Sequence, residues 1–323
     1  MAFSEDELIA RYFAPIAGAA GLGLKDDVAR LTPPPGRDLV VTVDALVAGV
    51  HFFADDPADL IAAKALRVNL SDLASKGAEP LGFLLTLALP PGVAPEWLAA
   101  FAHGLGEDAR AYRCPLIGGD TVSTPGPLTL SITALGAVSP GAMPARTGAR
   151  AGDVIFVSGT IGDAALGLAL RLGRGPALAE TDRDTLLGRY LKPQPRLGLA
   201  RALAHAHAAM DVSDGLVGDL AKMLRASGVG GELDLREVPF SSAARAYFAL
   251  DAGGIEIAAT GGDDYEVLAA VPEAEASAFA AVAAAAGVPV RLIGRVSEGV
   301  SALRVVGFDG EAVRFARGAY SHF

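Results

Sequence analysis

Apolar residues at Leu216, Val217, Leu220, Met223 and Leu224 keep the spacing of one helix face, and Ser227-Gly228 predicts where that helix stops. The same periodicity predicts helices over 60–76, closed by Gly77, over 95–110 and over 164–172. A further amphipathic helix is expected over 4–17, with Ser4 and Glu7 as its capping box. Strand patterns fall over 38–43, ending at Asp44, and over 80–89, stopped by Pro90-Pro91. Others cover 115–117, leading into Gly118-Gly119-Asp120, then 128–135 with strict alternation, and 153–157. Strand and helix alternate through both halves, which predicts two α/β or α+β domains. The Gly, Pro and Ala-rich stretch 140–152 is the expected boundary, giving domains over 1–140 and 150–323.

At 323 residues, 51% of them apolar, the chain can bury two medium cores. Its net charge of −10 and lack of a Lys/Arg-rich run argue against nucleic acid or an anionic membrane as partner. An acidic chain can still handle phosphates if divalent cations lie between. The single cysteine, Cys114, permits neither an internal disulfide nor a cysteine-based zinc site. With an acidic N-terminus lacking a signal pattern, this predicts a cytoplasmic protein. The alanine-dominated stretch 276–290, broken by Gly287 and Pro289, reads as a packed helix and not a membrane span.

Acidic residues gather next to glycines and at element ends: Asp26/Asp27, Asp44, Asp72, Asp120, Asp211/Asp214 and Asp263/Asp264. Asp211-Val212-Ser213-Asp214-Gly215 opens the helix at Leu216, where backbone N–H groups and the helix dipole favour anions. One Asp or Ser there would be an ordinary cap; three such side chains point to a metal or a phosphate. Asn69 and Asp72 share one helix face. Carboxylates converging on one pocket repel unless divalent cations hold them together, and oxygen-only donors suit Mg²⁺. His51, after a glycine and beside Phe52-Phe53, is placed to touch a ligand, whereas His103, His205 and His207 read as helix-surface residues. There is no P-loop, nucleophile elbow or kinase catalytic-loop signature. Gly118-Gly119-Asp120 can offer amides to a phosphate and a carboxylate to its metal. A short echo between 43–47 and 213–217 hints at related halves.

Taken in order, Asp26-Asp27, the run from Val43 to Phe52, Asn69-Leu70-Ser71-Asp72-Leu73-Ala74 and Gly118-Gly119-Asp120-Thr121 resemble the thiamine-monophosphate kinase family. So do Asp211-Val212-Ser213-Asp214-Gly215-Leu216, Gly261-Gly262-Asp263-Asp264-Tyr265-Glu266 and the terminal Tyr320-Ser321-His322-Phe323. The wider group is the aminoimidazole-ribonucleotide-synthetase-like superfamily. The resemblance implies ATP-dependent phosphorylation of thiamine monophosphate to thiamine diphosphate with release of ADP. It also implies a two-domain α/β fold whose N-terminal sheets join in a barrel across a homodimer. Carried over by motif, Asp27, Thr42, Val43, Asp44, Asp72, Asp120, Asp211 and Asp214 would hold Mg²⁺, with Val43 able to offer only its backbone carbonyl. Of these, Asp27, Asp44, Asp72, Asp120 and Asp211 would neutralise charge during transfer. Gly119, Asp120, Arg146 and Ser213 would meet ATP; His51, Asp263 and Tyr320 would meet the thiamine phosphate. The number of Mg²⁺ ions and the need for a monovalent cation stay open.

Three positions depart from the family's usual pattern: Lys25 stands before the paired aspartates, Val43 precedes Asp44, and Asp263 is shorter than the frequent Glu. Relatives that make selenophosphate or serve hydrogenase maturation rely on a terminal Cys or selenocysteine, which the position of Cys114 disfavours. A purine-type cyclo-ligase and a non-catalytic nucleotide- or metal-binding regulator are the remaining alternatives.

Overall fold

The computed structural model describes residues 4–299, 302–316 and 319–320. Of the terminal motif, Ser321, His322 and Phe323 lie outside the described residues. The chain divides into two compact units, one of Met1–Leu73 with Ala78–Gly141 and one of Ala74–Gly77 with Ala142–Phe323.

The first unit runs α1 (Glu5–Leu8), β1 (Asp38–Val47), α2 (Ala58–Ser75), β2 (Glu79–Leu89), α3 (Pro95–Ala111), β3 (Leu116–Ser123) and β4 (Thr129–Val138). Its sheet has the order β1-β4-β2-β3, antiparallel except for the β2/β3 pair. Alternation sorts the two faces: Leu130, Ile132 and Ala134 of β4 are buried while Thr129, Ser131 and Thr133 are half-exposed. The buried face carries α2, whose Asn69 and Asp72 bond to β1, and the Arg67–Asp108 ion pair ties α2 to α3. The other face of β1 presents Leu39, Val41 and Val43 to solvent, the two valines each 60% exposed.

The helix expected over 4–17 is only partly α-helical. The Ser4/Glu7 capping box forms, but α1 ends at Leu8 and passes into a π-turn over Ile9–Phe13 and a 3₁₀ turn over Ala14–Ile16. Pro15 lacks the amide that would extend the α-helical ladder. Gly118-Gly119-Asp120 lies within β3 and not after a strand.

The second unit contains β5 (Asp153–Ser158), α4 (Asp163–Arg171), α5 (Glu180–Leu191), β6 (Ala208–Val212), α6 (Leu216–Ser227), β7 (Gly230–Asp234), α7 (Ser242–Leu250), α8 (Gly254–Thr260), β8 (Glu266–Pro272), α9 (Ala276–Ala285), β9 (Val290–Ser297), β10 (Arg304–Val306) and β11 (Ala312–Val313). Its sheet has the order β11-β10-β7-β9-β5-β8-β6. Both faces are covered, so β5 is buried along its whole length, and its residues 154–157 form a continuous apolar run. Ile155, Val157, Met210 and Val212 join one core with Leu216, Leu220 and Met223 of α6. Val154, Phe156, Ala209 and Val271 join the other, with Phe279 and Ala283 of α9.

The echo between 43–47 and 213–217 has no structural counterpart, because the first stretch is strand and the second a turn entering α6. His207 is not on a helix; it precedes β6 and its Nδ1 meets the buried Asp153 carboxylate at 2.9 Å. Among the described residues no helix is long and apolar enough to cross a membrane.

Candidate active site

Asp211 is buried near the end of β6, opposite Val267 of β8. The chain then turns through Ser213, Asp214 and Gly215 into α6. Gly215 has φ 115°, and a Cβ there would lie 2.6 Å from the Thr260 carbonyl oxygen, so the turn requires glycine. The amides expected to attract an anion are already taken. Ser213 and Asp214 N–H donate at 3.0 and 2.9 Å to Oδ2 of Asp219, a residue of α6 that is 0% exposed. Lys222 Nζ donates to Asp219 Oδ1 at 3.0 Å and also to the Asp214 carboxylate. Burial pushes the Asp219 carboxyl above its ordinary range, partly offset by the hydrogen bond from Lys222. Burial lowers the Lys222 ammonium, but Asp214 and Asp219 outweigh it and hold it above its usual value.

The second acidic knot packs against this turn. Asp263 and Tyr265 have positive φ, 72° and 52°, and their N–H groups bond to the Ser213 and Val212 carbonyls at 2.9 and 2.8 Å. Tyr265 Oη reaches Asp263 Oδ1 at 3.2 Å, and Tyr320 N–H donates to the Asp214 carbonyl at 3.0 Å. Asp263 and Tyr320 are thus brought beside Ser213 and Asp214. Glu266, 0% exposed, accepts from Arg189 at 2.8 Å, from Arg196 Nε and Nη2 at 2.6 and 2.5 Å, and from Ser158 at 2.6 Å. Asp264 accepts the Gly162 amide, and burial raises its carboxyl well above the ordinary value. Arg146 is exposed, its carbonyl accepting from Ser227 Oγ at 3.3 Å.

In the first unit two groups of candidates form. On the α2 side of the sheet, Thr42 Oγ1 donates to the Asp72 carboxylate, and Asp44 N–H donates to Asn69 Oδ1 at 3.0 Å. His51 Nδ1 accepts the Val47 amide at 3.0 Å, which puts the proton of the neutral ring on Nε2. Val43 alternates to the opposite face of β1. The second group lines a cavity of about 810 Å³ that includes Asp26, Asp27, Thr86, Gly119, Asp120 and Thr133. Asp26, Asp27 and Asp120 are exposed, as is Lys25, and among the described residues none of these three carboxylates has an ion-pair partner. At Gly119 a Cβ would sit 1.8 Å from the Leu85 carbonyl oxygen, so β2 and β3 approach too closely for any other residue. Thr42, Asp44 and Asp72 do not line this cavity.

Among the described residues no three His, Cys, Asp or Glu side chains form a metal-holding group. The donor chemistry nevertheless fits Mg²⁺. The cavity offers carboxylate and hydroxyl oxygens, and Mg²⁺ takes one or two carboxylates while filling its octahedron with water and substrate phosphate.

Lys222, Arg189 and Arg196 were not expected from sequence, and Asp219 and Glu266, though they end acidic motifs there, were given no role. The spacing of Asp219 and Lys222, three apart on one helix, is a readable signal. Arg189 and Arg196 lie 77 and 70 residues from Glu266 and leave none.

Residues 25–138 match the family described as AIR synthase related protein, N-terminal domain, and residues 150–306 its C-terminal domain. The thiamine-monophosphate kinase of Caulobacter vibrioides is 45% identical over 302 residues, covering 92% of this chain and 85% of that protein. The solved thiamine-monophosphate kinase of Stenotrophomonas maltophilia superposes with a TM-score of 0.81 at 40% identity, covering 90% of this chain and 91% of that one. A second solved structure, AaThiL complexed with AMPPCP and TMP, superposes with a TM-score of 0.79 at 31% identity, covering 90% and 89%. With this likeness spanning both units and nearly the whole length of each relative, the chain belongs to the thiamine-monophosphate kinase family, on a two-domain AIR-synthase-like α/β fold.

Proposed function

We propose that this chain transfers the γ-phosphoryl group of ATP to thiamine monophosphate, releasing ADP and thiamine diphosphate. The observation that carries the reading is the match across 90% of the chain to a structure binding AMPPCP and TMP. The acceptor is itself a phosphate, already ionised near neutral pH, so the reaction needs charge neutralisation and in-line placement more than a strong base. Transfer is therefore direct, with no phosphoenzyme; a trapped phosphorylated residue would overturn it. Mg²⁺, when bound, screens the two approaching phosphates from one another.

Asp27 and Asp120 in the first unit's cavity would offer Mg²⁺ ligands, as would, separately, Thr42, Asp44 and Asp72 with the Val43 carbonyl on β1 and α2, and Asp211 and Asp214 in the second unit. Gly119, Arg146 and the Ser213 hydroxyl would meet ATP. The Ser213 amide is committed to Asp219. His51, Asp263 and Tyr320 would orient the thiamine phosphate. In this reading 1–140 is the ATP, Mg²⁺ and dimerisation domain, 150–323 is the C-terminal α/β domain, and the enzyme works in the cytoplasm.

ADP release from ATP, Mg²⁺ and thiamine monophosphate, against a control without acceptor, tests the reading. Binding without turnover would favour a regulator instead.

The active form is a homodimer in which the N-terminal sheets pair into a barrel. The exposed row Leu39, Val41 and Val43 on edge strand β1 supports this, since an open apolar strand is a template for pairing. Val41→Lys should shift the sedimenting species from dimer to monomer; unchanged sedimentation would remove β1 from the interface.

A further inference from the structure

Lys222 is held by two carboxylates of different character. Asp219 is fully buried and shares its other oxygen between two amides of the turn, so it cannot move without breaking the turn. Asp214 is half-exposed, its side chain 37% accessible, and its Lys222 contact is its one ion pair among the described residues. One partner is therefore fixed and the other is exchangeable.

We propose that Lys222 is the resident counter-cation of the Asp214 carboxylate, and that a divalent cation arriving at Asp214 exchanges with it while Lys222 stays anchored on Asp219. This rests on the reading of Asp214 as a cation ligand. A half-exposed carboxylate on the turn that opens α6 gains from a permanent positive partner when no metal is present. A lysine supplies that charge as a compact, flexible point. Because Asp219 keeps the ammonium within reach, the exchange needs only a rotation about the Lys222 side chain and leaves the turn's backbone in place. Metal binding at Asp214 then costs one ion pair, so the cation affinity there is lower than the carboxylate alone would set.

The test is Mn²⁺ binding to the full-length protein, counted by electron paramagnetic resonance without nucleotide. The parent, Lys222→Met, Lys222→Gln and Asp214→Asn are compared after thermal unfolding has shown each to be folded. Sites elsewhere in the chain are removed by subtracting the Asp214→Asn isotherm from the others. Both Lys222 variants should bind Mn²⁺ more tightly at the Asp214-dependent site, by about fivefold for loss of a unit charge at roughly 4 Å in water. Should one Lys222 variant fail to fold, the other carries the same expectation. Unchanged or weaker binding in the Lys222 variants, with weakened binding in Asp214→Asn, would overturn the exchange and leave Asp214 as a ligand. An Asp214→Asn isotherm equal to the parent's would overturn the ligand reading and the exchange together.

Discussion

The acidic turn before α6 and the acidic cavity beside β3 are written in the same residue types, Asp next to Gly, yet they end in opposite states. In the second unit Asp219 takes the amides of Ser213 and Asp214, Lys222 bridges Asp214 to Asp219, and the turn is closed on itself. In the first unit Asp26, Asp27 and Asp120 stand exposed around a cavity, with Thr86 and Thr133 as neighbours. A carboxylate's sequence context therefore does not say whether it is a structural anchor or an open ligand. What decides is whether the fold brings it donors from the protein.

If that contrast holds, substitutions on the two sides should separate activity from stability. The largest effect is expected at the cavity. Asp120→Asn should lower ADP formation about 10³-fold, the scale of losing one preorganised electrostatic partner of a phosphoryl transfer. Because Asp120 is exposed, its urea midpoint should correspond to a change within about 0.5 kcal/mol. A large stability loss with intact turnover would invert the comparison.

Asp219→Ala should do the reverse in kind. It removes the acceptor of two amides and the buried partner of Lys222, which destabilises by about 3 kcal/mol on the scale for breaking a buried pair. Asp219→Asn, which keeps an acceptor oxygen, should lose visibly less in the same urea titration. Equal losses would mean that the charge and not the amide cap holds the turn.

The smallest effect concerns Cys114, a buried residue of the first unit that does not line its cavity. Burial pushes its thiol up to about 12 from 9.0. The folded chain then keeps a proton that the unfolded chain releases, so this contribution to stability is present below pH 9.0 and is lost as pH rises toward about 12. Between pH 7 and pH 10 the parent should lose about 1.4 kcal/mol more than Cys114→Ala, read from paired unfolding curves. Parallel pH profiles would show that the thiol is not protected by burial.

Local pattern by itself determined most of the elements. The period of α6, the glycine that stops it, the alternation of β4 and the Ser4/Glu7 box are all short-range, and a side chain meets its partner within a turn or two. The same locality explains the errors. A helix period continues on paper through 4–17, but Pro15 interrupts the ladder in three dimensions, and Gly118-Gly119-Asp120 looks like a turn although β2 draws it into a strand. Only the tertiary structure decided which face of the first sheet α2 would cover, and hence that Thr42 and Asp44 meet Asp72 and Asn69 while Asp120 opens on a cavity. It alone decided that Arg189 and Arg196 converge on Glu266. Periodicity fixes the direction of a side chain relative to its own backbone, whereas burial and charge pairing depend on what another part of the chain places in front of it.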